Sequence, residues 1–185
     1  MGEFRFDPEE IEKDEIALDK FEVAKLQIIS AIKMFFHGWD SVSQLTLTAA
    51  SHQILYDISK IKDRRLSFKD SALIKEDKRH EYIRAVNKAQ NYFKHADKDH
   101  RTKLLFRHRI TPLYLFDTIR MYILLTGNNS CFEIRVFLMW FQLRFPDLLN
   151  LPSAEEDLRK IRAETKDPNT FRLLGLHLLQ SGKLD

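Results

Sequence analysis

The chain has 185 residues, a formal net charge of +3, 44% hydrophobic and 31% charged side chains, and one cysteine. That lone Cys131 excludes an internal disulfide and any cysteine-rich zinc site, and no apolar run reaches the ~18 uncharged residues of a membrane span. So small an excess of positive charge points to no particular partner, whereas fourteen Phe against five Gly and five Pro predict long elements around an aromatic core.

The opening residues, Met1-Gly-Glu-Phe-Arg-Phe-Asp-Pro, lack the basic-then-apolar pattern of a secretion signal, so a cytoplasmic protein is expected. Asp7 before Pro8 reads as a helix start, with Glu9, Glu10 and Glu12 at the positive end of the dipole. Apolar residues at Ile11, Leu18, Phe21, Ala24, Ile28, Ile32 and Phe35 carry that helix to Gly38, with a possible break near Asp19. Asp40 or Ser41 caps a second helix to about Ile61. Its two apolar stripes, one through Val42, Leu45, Ala49, His52 and Tyr56, predict a central, buried position. His52 therefore reads as a core hydrogen-bonding residue.

Residues 62 to 71 read as a loop, and a third helix is expected from about Ala72 to Ala96, burying Tyr82, Val86, Ala89, Phe93 and Ala96. Two basic clusters, Lys60 to Arg65 and Lys98 to Arg109, read as solvated segments beside helix ends. Thr111-Pro112 opens a fourth helix that stops at Gly127. Ser130 with Glu133 has capping-box spacing for a fifth, which ends before Pro146, and Cys131 reads as a buried, inert thiol. A second such box, Ser153 with Glu156, opens a short helix to Thr165. Asp167-Pro168 starts the last helix and Gly182 stops it. No hairpin signal is present. The expected class is all-α: an antiparallel helical bundle of about five core helices in one domain, 1–185, with 153–185 as a C-terminal helical hairpin.

The segment Asn87 to His100 packs amides, imidazoles and carboxylates onto the end of the third helix, where Asn and Asp are poor helix formers. At about 100° per residue, His80, Arg84, Asn87, Asn91 and His95 share one stripe, opposite Tyr82, Val86, Ala89 and Phe93. Either the stripe is the wet face of an amphipathic helix, or it faces a cleft, a ligand or a second subunit. Together with Asp97, Asp99 and His100 it forms the candidate site.

Within it, Gln90-Asn91-Tyr92-Phe93-Lys94-His95 resembles the signature of HEPN domains, helical bundles whose motif is Arg, commonly followed by Asn, with His four to six residues on. In that family, Arg and His of paired protomers form an RNA-cleaving site at a dimer interface. The resemblance implies a homodimer in which His95 takes the acid/base place and Asn91 is its polar helper. An imidazole that titrates near neutral pH suits proton transfer at a ribose hydroxyl. Gln90 stands where the family has Arg, and Arg84 is the nearest cation on the stripe. The leading expectation is thus a HEPN-like module that binds a protein partner, RNA or a nucleotide without catalysis and without a cofactor. Metal-independent RNA cleavage through His95 is the alternative. A further alternative places a metal or small molecule among His95, Asp97, Asp99 and His100, since imidazole with carboxylate suits zinc, iron or manganese.

Overall fold

The computed structural model describes residues 15–70, 76–97, 100–145 and 167–182. Among them are six helices and no strand: α1 Lys20–His37, α2 Ser41–Ile61, α3 Glu76–Lys94, α4 Ile110–Thr126, α5 Phe132–Arg144 and α6 Pro168–Ser181. The class is all-α, as expected. The expected helix start at Asp7-Pro8, residues 72–75 of the third helix, the Ser153 helix and Asp99 lie outside the described residues.

Most helix ends follow from local chemistry. Residues 15–19 are not helical, and α1 begins directly after Asp19. There Asp19 and Glu22 form a reciprocal capping box, each carboxylate accepting the other's backbone N–H at 2.8 Å. Asp40 caps α2 by accepting from Ser43 N at 2.7 Å, and Asp167 caps α6 through Asn169 N at 2.9 Å. Gly127 ends α4 at φ 69°, in the left-handed region that a Cβ disfavours.

Three boundaries differ from expectation, the first being α4, which opens at Ile110 with Thr111-Pro112 already inside its first turn. The Ser130–Glu133 box does not form. Asn128 accepts both the backbone N–H and the hydroxyl of Ser130, at 2.9 and 2.7 Å, so the helix begins one residue later with Cys131 as its cap position. Glu133 turns instead to Lys33 at 3.3 Å and to the Cys131 thiol at 3.2 Å. Cys131 is accordingly only half-buried. The third helix stops at Lys94, which leaves His95 and Ala96 beyond its last turn.

α2 is the central element: it packs against α1, α3 and α4, while α5 and α6 close the far side of α1. Its buried hydroxyls bond within their own helix, Thr48 to Gln44 O at 2.7 Å and Ser51 to Thr48 O at 3.0 Å. The larger core joins α1, α2, α4, α5 and α6 around stacked Phe116 and Phe141 (4.0 Å) and the edge-to-face pair Phe35–Trp140 (4.4 Å). A separate, smaller core holds α3: Leu45, Ala49, Val86, Ala89 and Tyr114, flanked by Tyr82, Phe93, Leu104, Phe106 and Ile110. α3 is thus fastened to the N-terminal halves of α2 and α4 and leaves its outer face open.

Candidate functional site

Two places bring together side chains with chemistry. One lies in the core between α2, α4 and the 66–69 turn, where His52, Ser67 and Asp117 are all buried. Asp117 Oδ2 accepts the Ser67 hydroxyl at 2.9 Å and lies 3.2 Å from His52 Nε2, and both its oxygens accept the Phe68 N–H, at 3.0 and 3.1 Å. Ser67 Oγ in turn accepts the Lys69 N–H at 3.1 Å and lies 3.1 Å from the same His52 nitrogen. Arg120 stands at the edge, 3.8 Å from Asp117, and donates to Leu66 O.

The protons can be assigned from this geometry. The single hydroxyl proton of Ser67 goes to Asp117, so His52 must carry its hydrogen on Nε2 and share it between the two oxygens. That is the reverse of nucleophile activation, which needs a bare Nε2 to receive the serine proton and a carboxylate on Nδ1. Nδ1 has no hydrogen-bond partner among the described residues. Despite its Ser–His–Asp composition, the cluster is a closed structural clasp that ties the 66–69 turn to α2 and α4.

Burial pushes the His52 pKa down, against the opposing pull of Asp117, so the imidazole is neutral at pH 7. The unfolded chain binds the His52 proton more readily than the folded one. Its contribution to stability is therefore complete above the unfolded value, about pH 6.5, and is lost as pH falls below that. Urea titrations at pH 7.5 and 5.5 are expected to show the wild type losing about 1 kcal/mol more than His52→Gln over this interval. Equal losses in both proteins would contradict a buried neutral imidazole.

The second place is the outer face of α3. His80, Arg84, Asn87, Asn91, His95, Asp97 and His100 are all exposed, and Asp99 lies outside the described residues. Asn87 accepts from Lys69 Nζ at 3.4 Å, which joins this ridge to the turn bearing Ser67. Lys69 sits beneath, about 6 Å from the Tyr56 and Tyr114 rings, and its burial lowers its pKa. Gln90 turns away from the ridge and donates to the Tyr114 hydroxyl at 2.6 Å. From Arg84 to His95 the helix axis rises about 16 Å, so one protomer does not place both on one phosphate. Among the described residues no group of three or more His, Cys, Asp or Glu could hold a metal ion.

Beside the ridge runs a cleft of about 600 Å³ between α3 and the segment 104–110, lined by Arg84, Ala85, Lys88, Ala89 and Glu81 on one side. Leu104, Leu105, Phe106, Arg107 and Ile110 form its other wall. Tyr92 fixes that wall by donating to Thr102 O at 2.6 Å, and Phe93 holds it edge-to-face on Phe106 at 5.2 Å. Arg84 belongs to both ridge and cleft.

Neither the clasp nor the cleft was among the sequence candidates. Asp117 had a visible signal, a single carboxylate in an apolar helical run, but its partner Ser67 was hidden in a loop. For the cleft the signal was Leu104-Leu105-Phe106 inside a basic segment. No family model, curated protein or solved structure matches the chain. No helix among the described residues is long and apolar enough to cross a membrane.

Proposed function

We propose that this chain is a HEPN-like helical binding module, cytoplasmic and homodimeric, that works through the outer face of α3 and its cleft without catalysing a reaction. The observation that supports it most is an open cleft with an apolar floor, sharing Arg84 with the amide-and-imidazole ridge. Gln90 supports the absence of catalysis. It occupies the place of the family's arginine and is engaged inward with Tyr114, so the position that supplies the family's phosphorane-stabilising cation holds a neutral amide. The Ser–His–Asp cluster offers no alternative centre, because it is sealed and its serine is not activated.

The test is covalent capture in cells that express the chain, with a benzophenone side chain placed at position 105 or, as control, at the exposed Leu26 on α1. A discrete adduct is expected from 105 and not from 26, reduced at least fivefold by Arg84→Glu with Lys88→Glu. Equal adducts from both positions, or none from 105, would overturn the reading. Digesting the adduct with nuclease or protease identifies the partner class. Cleavage of added RNA that is abolished by His95→Ala would replace the binding module with a nuclease.

A further inference from the structure

We infer that the cleft between α3 and the 104–110 segment docks an acidic, amphipathic peptide, presented as a short helix by a protein partner. This rests on the binding reading above and names the class of its partner.

The floor is Ala85, Ala89, Leu104 and Ile110, small and aliphatic groups with no side-chain hydrogen-bonding capacity, so it suits apolar side chains and not phosphates or base edges. Its one aromatic residue, Phe106, is already engaged edge-to-face with Phe93 and presents no free stacking platform of the kind single-stranded nucleic acid uses. Leu105 stands at the lip with 94% of its surface exposed, the most exposed large hydrophobic side chain described. A helix lying along the cleft covers it, as in helix-in-groove recognition, with anchors spaced i, i+3 or i+4, and i+7.

The rim sets the sign of the partner's charge. Arg84 and Lys88 are exposed and have no acidic partner among the described residues. Across the cleft, Arg107 meets the only acidic lining residue, Glu81, at 3.5 Å. One end of the rim is therefore neutralised within the protein while the Arg84–Lys88 end remains cationic, and the exposed Arg101 and Lys103, which lead into the wall at Leu104, add positive charge. Carboxylates beside the apolar anchors complement that end and raise the rate of encounter at low salt.

The experiment is a selection of displayed random 16-residue peptides on the full-length chain, followed by titration of the enriched sequences as synthetic peptides. Enriched peptides are expected to be net negative, with aliphatic or aromatic residues at helical spacing. Their affinity is expected to fall at least tenfold in Leu105→Glu, at least tenfold in Lys88→Glu, and severalfold between 50 and 300 mM salt. Both substitutions are on exposed positions, and an unchanged thermal midpoint verifies the fold. If Leu105→Glu misfolds, Leu105→Ser with Lys88→Glu reads the same two contributions. No enrichment, neutral or basic winners, or affinities indifferent to both variants would overturn the acidic-peptide assignment. Tighter binding of a 20-residue oligouridylate, lost in Lys88→Glu but kept in Leu105→Glu, would overturn it in favour of nucleic acid. That last result leaves the binding module standing, whereas the absence of any adduct from position 105 in cells removes the module itself.

Discussion

Asp117→Ala is expected to destabilise the fold by about 4 kcal/mol, the range seen when one partner of a buried polar network is removed. The reason is the number of donors that converge on one carboxylate. Ser67, Phe68 N–H and His52 all lose their acceptor inside the core, and Arg120 loses its counter-charge at the edge. Each buried donor left unpaired costs about 1–3 kcal/mol, though relaxation and water entry keep the sum below simple addition. For a chain of this size the thermal midpoint should fall by roughly 8–16 °C. Asp117→Asn keeps one acceptor oxygen but introduces two donors, so it should lie between. Urea unfolding followed by circular dichroism measures both, and a loss below about 1 kcal/mol for the alanine variant would mean that the clasp contributes little.

Gly175→Ala should also destabilise, by about 2 kcal/mol net, although alanine is the better helix former by about 1 kcal/mol. Gly175 is buried in the middle of α6, facing Phe36. A Cβ built there overlaps Phe36 Cε1 and lies 2.7 Å from both Cδ1 and Cζ. The ring has no room to withdraw, since Phe36 is fully buried among Phe35, Phe137 and Trp140. Either the ring is driven off its rotamer or α6 moves outward and exposes part of Phe171. Reducing the ring in Gly175→Ala with Phe36→Leu should recover part of the loss, a coupling that a double-mutant cycle reads directly. A stabilised single variant would contradict this close packing.

Features encoded within one turn of chain were legible in the sequence. Asp167-Pro168 and Gly182 bound α6, Gly127 ends α4, and the two apolar faces of α2 announced its central position with His52 among core residues. The Ser130–Glu133 spacing misled because Asn128, two residues upstream, competes for the same serine; a pattern of residue types cannot rank two local hydrogen bonds. The clasp was out of reach for a different reason. Ser67 meets Asp117 only because the 66–69 turn folds across α4, and no local period records a pairing of residues so far apart along the chain. Of the amide-and-imidazole stripe, His80, Arg84, Asn87 and Asn91 lie on α3 and are exposed, whereas His95 falls just past its end. The neighbouring cleft was missed because it exists only once Tyr92 and Phe93 have fastened the basic segment alongside α3.

The proposed function lies on the outer face of α3, and the buried Ser–His–Asp cluster holds the fold together. One paired measurement separates the two: thermal midpoint and position-105 adduct yield, taken side by side for Ser67→Ala and for Arg84→Glu with Lys88→Glu. Ser67→Ala is expected to lower the midpoint and leave the yield per folded molecule unchanged. The rim variant is expected to do the opposite. A Ser67→Ala protein that stays folded yet loses its adduct, or a rim variant that keeps it, would contradict that division of labour.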